Sequence, residues 1–191
     1  MKKIVILAAS LLLCCGAARA QQPEAGRLTL QDVTSGAYSP QYIYGVNPMN
    51  DGESYTRLSP DGKRIVRHSF KTGKETGVVF DAGTARGKRR PERIDGYIMS
   101  PDETRILLQT ETRAIYRRSF TAVYYIYDVK NNTVEPLSEG GPQQVPLFSP
   151  DGNVVAFARE GNLFLVKLLY GNAETQVTKD GQFNAVLNGI P

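Results

Sequence analysis

The sequence predicts an all-β fold that forms part of a β-propeller, and two observations lead to that prediction. First, three segments share an apolar residue, a Ser-Pro-Asp turn and a strand-like run: LSPDGKRIVRHS from Leu58, MSPDETRILLQT from Met99 and FSPDGNVVAFAR from Phe148. Their prolines, at positions 60, 101 and 150, are spaced by the length of one four-stranded propeller blade. Second, outside the first twenty residues no long segment shows the 3.6-residue period of an amphipathic helix.

The Ser-Pro-Asp segments are interpreted as turns that begin hairpins. Proline fixes φ for a turn, and an aspartate side chain accepts hydrogen bonds from the backbone that follows. Asp61, Asp102 and Asp151 are therefore turn formers rather than site residues. The predicted strands cover residues 64–70 and 77–80 after the first turn, 105–110, 121–129 and 133–137 after the second, and 154–159, 163–169 and 174–178 after the third. About three four-stranded blades result, and residues 21–191 form one incomplete propeller domain.

The first twenty residues have the pattern of a signal peptide. Lys2 and Lys3 form a positive start, residues 4–15 are mostly apolar, and residues 18–20 read Ala-Arg-Ala before the predicted cleavage site. The apolar run is shorter than the roughly 20 residues that a membrane-spanning helix needs, so we expect no stable membrane anchor. Lipid attachment at Cys14 or Cys15 is a weaker alternative. The sequence thus predicts an exported protein, periplasmic or at the cell surface.

Charge and residue types exclude several function classes for residues 21–191. The formal charge of +4 includes Lys2, Lys3 and Arg19, and without them 20 basic residues face 19 acidic ones. A nearly neutral chain without a basic stripe does not predict nucleic-acid binding. The basic run at residues 84–93 is interpreted as a solvated connection between blades, with a specific anionic partner as the alternative. With one histidine, His68, and no cysteine after residue 20, we predict neither a metal site nor a cofactor.

Arg117 and Arg118 are the candidate binding residues. They lie in the predicted connection between the strands at residues 105–110 and 121–129. A guanidinium offers five donors in a flat fork, which suits it to hold a carbonyl or carboxylate oxygen. Residue types alone leave open the simpler interpretation that both arginines form a solvated surface pair.

Several strings resemble the N-terminal propeller of bacterial dipeptidyl peptidase IV, a serine peptidase of the prolyl oligopeptidase clan. They are YRRSFTAVYYIYDV from Tyr116, FSPDG from Phe148, NLFLVKL from Asn162 and TKDGQFNAVLNGIP from Thr178. The resemblance implies an eight-bladed propeller in the intact protein. It also implies that Arg117, rather than Arg118, holds a carbonyl oxygen of a peptide substrate that has a free N-terminus. A homodimer of the intact protein is compatible with the family.

The chain departs from the family pattern in what it lacks. The paired glutamates that bind the substrate amine, and the hydrolase domain with its serine nucleophile, would follow Pro191 in the family, and no Gly-x-Ser-x-Gly segment occurs here. We therefore predict no catalytic residue in this chain, which we interpret as the substrate-gating and substrate-binding propeller part of an exported enzyme releasing X-Pro or X-Ala dipeptides. By itself we expect it to be inactive. The alternative is a non-catalytic periplasmic propeller that binds a protein or peptide partner.

Overall fold

The structure, a computed structural model, describes residues 28–40, 42–182 and 184–190. The chain divides into two compact units, Met1–Ile43 and Tyr44–Pro191. In the first unit the described residues contain one short helix, α1 (Leu30–Thr34). Thr29 caps it, because the Thr29 side chain accepts from the Asp32 amide while the Asp32 carboxylate accepts from the Thr29 amide. The predicted signal peptide at residues 1–20 lies outside the described residues.

The second unit consists of three antiparallel sheets of four strands each. Sheet 1 contains β1 (Asn47–Pro48), β2 (Ser54–Leu58), β3 (Arg64–Ser69) and β4 (Glu75–Asp81); sheet 2 contains β5 (Gly96–Met99), β6 (Arg105–Ala114), β7 (Phe120–Asp128) and β8 (Thr133–Pro136); sheet 3 contains β9 (Gln144–Phe148), β10 (Val154–Arg159), β11 (Asn162–Lys167) and β12 (Ala173–Gln176). Within each sheet, strands that are adjacent in the sequence are also hydrogen-bonded neighbours. The prediction of an all-β chain with three four-stranded propeller blades is confirmed.

The Ser-Pro-Asp turns connect β2 to β3, β5 to β6 and β9 to β10, as predicted. In the middle turn the Ser100 hydroxyl donates to Asp102 at 2.6 Å and accepts from the Arg105 amide at 2.9 Å. Equivalent bonds join serine to aspartate in the other two turns. The residue after the aspartate has positive φ in each turn. In the first and third turns this residue is glycine, Gly62 and Gly152, which adopts positive φ readily. In the second turn it is Glu103, with a φ of 58°.

Sheet 1 differs from the other two in the source of its fourth strand. In sheets 2 and 3 the turn separates the first two strands, so two further strands follow β6 and β10. In sheet 1 the turn follows the second strand, because β1 pairs with β2 through Asn47 and Thr56. The chain after β4 leaves sheet 1 and runs beside β8 instead, where Arg86 forms a parallel bridge with Thr133. Residues 84–93 thus connect two neighbouring blades.

Two apolar cores lie on the two faces of sheet 2. On one face Ile106, Leu108 and Tyr127 pack with residues of sheet 1, among them Ile65 and Phe80. On the other face residues of sheet 2 pack with sheet 3 in the second core, which comprises Leu107, Ala122, Tyr124, Ile126, Leu137, Val155, Phe157, Phe164 and Val166. Burial on both faces explains why consecutive apolar residues occur at Ile106–Leu108 of β6 and at residues 122–127 of β7. Of the three described sheets, sheet 2 is therefore the one with a core on each face.

All the predicted strands are present, most of them with ends shifted by one or two residues, and three differences stand out. The strand predicted at residues 105–110 continues to Ala114. The strand predicted at residues 163–169 ends at Lys167 and is followed by a 3-10 helix at Leu168–Tyr170. Four strands that precede the Ser-Pro-Asp turns, β1, β2, β5 and β9, were not among the predicted ranges. The 3-10 helix ends at Gly171, whose φ of 64° is left-handed. Among the described residues no helix is both long and apolar enough to span a membrane.

Candidate functional site

The candidate site is the outer part of the β6–β7 hairpin, residues 111–119, called here the arginine hairpin. β6 has ten residues and β7 has nine, whereas the flanking β5 and β8 have four each. β5 pairs with β6 only over four residues, with Met99 opposite Ile106 at one end and Gly96 opposite Gln109 at the other. β8 pairs with β7 only from residue 125 of β7 onward. The arginine hairpin therefore projects beyond the edge strands of its own sheet.

A β-bulge marks the base of the arginine hairpin. Thr110 pairs with Val123 and Arg113 pairs with Thr121, so Glu111 and Thr112 together oppose Ala122. Glu111 has a φ of 49°, the left-handed conformation of the first residue in a G1-type bulge, a position that glycine usually occupies. The bulge explains why the sequence signal for a strand ends at residue 110 although pairing resumes three residues later. Bulges of this kind redirect the strand that follows and the side chains it carries.

The tip of the hairpin is a short loop closed by backbone hydrogen bonds. The amides of Ile115 and Tyr116 both donate to the Ser119 carbonyl oxygen, at 2.8 and 3.2 Å. Every residue from 111 to 118 is exposed, and Tyr116 is 80% exposed. The tip therefore has no apolar core of its own, and its position depends on the paired strands beneath it.

Arg117 and Arg118 lie side by side at this tip, as the sequence predicts. Within the part of the chain that the structure describes, neither guanidinium takes part in a hydrogen bond or an ion pair. A permanently charged fork with five unused donors can bind an oxygen acceptor without first breaking an internal contact. Exposure and pairing are the same for both arginines, so the geometry does not distinguish the binding role of Arg117 from that of Arg118.

The arginines of the basic run at residues 84–93 are bound internally, in contrast to the tip. Arg86 donates to the Asn131 carbonyl oxygen at 2.5 Å, Arg89 pairs with Glu139 at 2.5 Å, and Arg90 donates to the Ala85 carbonyl oxygen at 2.8 Å. These contacts fasten the segment to sheet 2 and to its own backbone. The geometry therefore favours the predicted connection between blades over a site for an anionic partner.

Two surface cavities lie away from the arginine hairpin. One, of about 720 Å³, lies beside β8 and is lined by residues 86–89 and 133–140 together with Gly171, Asn172 and Glu174. The other, of about 590 Å³, lies between sheets 1 and 2 near Phe80 and Tyr127. Two ion pairs lie at the first cavity: Arg89 with Glu139, and Glu174 with Arg159, each at 2.5 Å. Neither cavity presents a cluster of unpaired donors like that of the hairpin tip.

The remaining titratable residues singled out in the sequence have structural surroundings. Asp102 accepts from the Ser100 and Thr104 hydroxyls, and these hydrogen bonds lower the pKa of its carboxyl to about 2. His68 stacks on Tyr55 with ring centroids 5.2 Å apart, and its Nδ1 has no partner in the described structure. No group of three metal-ligating side chains occurs among the described residues. These residues do not assemble a second candidate site.

Sequence reasoning missed two residues that hold the arginine hairpin at its base. The Asp95 carboxylate accepts from the Thr112 amide at 3.0 Å, within the bulge. On the β7 side, the fully buried Gln143 exchanges two backbone hydrogen bonds with Ala122, and its side chain accepts from the Tyr124 amide at 3.0 Å. Both residues lie outside the strands that they hold, so no local pattern could have indicated them.

Comparisons with known proteins agree with this fold. Residues 100–191 match the family described as dipeptidyl peptidase IV (DPP IV) N-terminal region. The crystal structure of Porphyromonas gingivalis dipeptidyl peptidase 4 is 40% identical, with a TM-score of 0.75 over 86% of this chain and 23% of that one. Prolyl endopeptidase FAP of Homo sapiens is 29% identical over 86% of this chain and 20% of its own length. The protein named Probable dipeptidyl-aminopeptidase B of Aspergillus fumigatus is 30% identical over 86% of this chain and 19% of its own.

Three successive four-stranded blades and these similarities define the chain as part of a β-propeller similar to those of dipeptidyl peptidases. Specifically, residues 100–191 match the dipeptidyl peptidase IV N-terminal region, in agreement with the sequence resemblance. The chain spans about a fifth of the length of the curated relatives that it matches.

Proposed function

We propose that this chain is the substrate-binding and substrate-gating propeller region of an exported serine dipeptidyl peptidase that releases N-terminal X-Pro or X-Ala dipeptides. The family match and the similarity to a bacterial dipeptidyl peptidase 4 support the peptidase class. The observation that supports the binding role is the projecting hairpin with the unpaired Arg117 at its tip. Export is supported by the signal-peptide pattern of residues 1–20.

Arg117 contributes by orienting the substrate. Its guanidinium would hold a carbonyl oxygen of the bound peptide through charge-assisted hydrogen bonds, so that the second peptide bond lies at the nucleophile. A planar fork fixes the direction of the acceptor as well as its position, which a lysine ammonium would not do. The contribution is one of binding and alignment, and no bond is made or broken at Arg117.

The hydrolytic step requires residues outside these 191. The sequence contains no Gly-x-Ser-x-Gly segment. Its one histidine, His68, stacks on the Tyr55 ring and does not face a serine held in a sharp turn, as a catalytic base would. We therefore assign acyl transfer to another region of the gene product and expect the 191-residue polypeptide by itself to show no peptidase activity.

The test is a kinetic comparison of Arg117→Ala and Arg118→Ala in the complete gene product. The substrates are Gly-Pro-p-nitroanilide and its N-acetylated form. We expect hydrolysis of the free-amine substrate alone, a loss of about 10²-fold in kcat/KM for Arg117→Ala because alignment is lost, and a change of less than about twofold for Arg118→Ala.

Three results would contradict the proposal. Equal losses for both arginines would remove the specific role of Arg117. Unchanged kinetics for Arg117→Ala would exclude the hairpin from substrate binding. A gene product that binds peptides without releasing a dipeptide would favour the alternative, a non-catalytic periplasmic propeller.

A further inference from the structure

The projecting arginine hairpin has no packing of its own and must be held at its base. Residues 111–118 are all exposed, so the tip is supported only through the two strands that lead to it. The extended chain from Thr112 to the tip loop at Ile115 spans about 10 Å at the rise of a strand. A rotation of about 10° at the bulge would displace the tip by about 2 Å, which is large compared with the tolerance of a binding geometry.

The base of the hairpin is held by a small polar cluster. The Asp95 carboxylate accepts from the Thr112 amide at 3.0 Å, and the Gln109 side-chain amide donates to the Thr112 hydroxyl at 2.8 Å. The Asp95 amide in turn donates to the Gln109 carbonyl oxygen at 2.7 Å, which fixes Asp95 beside the bulge. Gly96 leaves room for this arrangement, because a Cβ there would lie 3.2 Å from the Gln109 Oε1 atom.

The bond from Thr112 to Asp95 takes the place of a strand-to-strand bond. Thr112 lies in the bulge and has no partner on β7, while the facing Ala122 turns its amide and carbonyl to Gln143 on the opposite edge. Without a carboxylate at residue 95, the Thr112 amide would have only water as a partner, and the bulge could adopt other conformations.

We propose that Asp95 is a positioning residue for Arg117, because its carboxylate fixes the bulge that sets the direction of the arginine hairpin. This inference rests on the proposed function, in which Arg117 contacts the substrate. Asp95 itself touches no substrate and acts through Thr112; its other carboxylate oxygen faces the exposed Arg93 guanidinium at 3.8 Å, on the side away from the bulge amide. Its effect on peptide hydrolysis therefore depends on the presence of the Arg117 guanidinium.

A double-mutant cycle in the complete gene product tests the proposal. Asp95→Ala is measured alone and together with Arg117→Ala, using Gly-Pro-p-nitroanilide. We expect Asp95→Ala to lower kcat/KM by about 3- to 10-fold when Arg117 is present and by less than about 1.5-fold when it is absent. Asp95→Asn retains an oxygen acceptor for the Thr112 amide and is expected to stay within about twofold of the parent.

Asp128→Ala is the matched control. Asp128 also lies on sheet 2 and accepts from a turn amide, that of Asn131 at 2.8 Å, but at the opposite end of β7. We expect no change in kcat/KM for this variant. Hydrogen exchange of residues 110–121, followed by mass spectrometry, should accelerate in Asp95→Ala and remain unchanged in Asp128→Ala.

The outcomes separate this inference from the proposed function. An Asp95→Ala loss that is the same with and without Arg117 would indicate a general loss of folded enzyme and would overturn the inference. Unchanged kinetics for Asp95→Ala, with a large effect of Arg117→Ala, would overturn the inference and leave the proposed function standing. Unchanged kinetics for Arg117→Ala would overturn both.

Discussion

At the scale of single residues, the same serine and aspartate positions form all three blade turns. In each turn the serine hydroxyl donates to the aspartate and accepts from the amide that begins the next strand. The aspartate also accepts a backbone amide two residues on. Because these bonds favour the ionised carboxylate, the pKa of all three aspartates is lowered.

We expect the contribution of Asp102 to stability to depend on pH. Its pKa falls from 3.8 to about 2 on folding, chiefly through the Ser100 hydroxyl, so its contribution is fully present above about pH 4 and declines as the pH falls toward 2. The melting temperatures of the gene product and of its Asp102→Ala variant should differ most at pH 6, differ less at pH 3 and converge only below about pH 2. A difference that stays constant over that range would contradict the assignment.

The turn residues could be predicted from the sequence because their chemistry is local. Proline, aspartate and glycine act on their own backbone within a few residues, and three repeats of one pattern define the blade length. The role of Arg117 could not be derived in that way. Arg117 and Arg118 are equally exposed and unpaired, so only the resemblance to the family distinguishes them.

At the scale of strands, two features differ from what the hydrophobic pattern of the sequence predicts. Pairing in β6 resumes after the bulge at Glu111 and Thr112, because Asp95, sixteen residues before Glu111, satisfies the bulge amide. The chain after β4 runs beside β8 of the next sheet, where Arg86 exchanges backbone bonds with Asn132 and Val134. Both arrangements rest on contacts between distant residues, so hydrophobic periodicity carried no signal for them.

Gly87 gives a test of the connection between blades. Its φ is 155°, and a Cβ there would overlap the Val134 carbonyl oxygen. We expect Gly87→Ala to destabilise the propeller by about 2 kcal/mol or more, equivalent to a fall in its melting temperature of several degrees. Gly77→Ala is the control, since a Cβ at residue 77 would meet no atom within 4 Å. Equal melting temperatures for the two variants, measured by scanning calorimetry of the gene product, would contradict this account.

At the scale of the propeller unit, sheets 1 and 3 each have one face in a core and one face outside it. Leu147 and Leu165 lie in register with Ala156 on the outer face of sheet 3, where Leu147 is 60% exposed. On sheet 1 the corresponding face carries Phe70 and Val78, which are 50% and 45% exposed. Apolar faces of this kind are the surfaces that neighbouring blades cover in a propeller.

We propose above all that these residues form propeller blades of a longer dipeptidyl peptidase. The most direct test is to read the genomic DNA beyond the codon for Pro191. We expect an open frame that encodes further blades, a Glu-Glu pair soon after Pro191 and later a Gly-x-Ser-x-Gly segment. A stop codon directly after Pro191, with no such coding segment nearby, would contradict it.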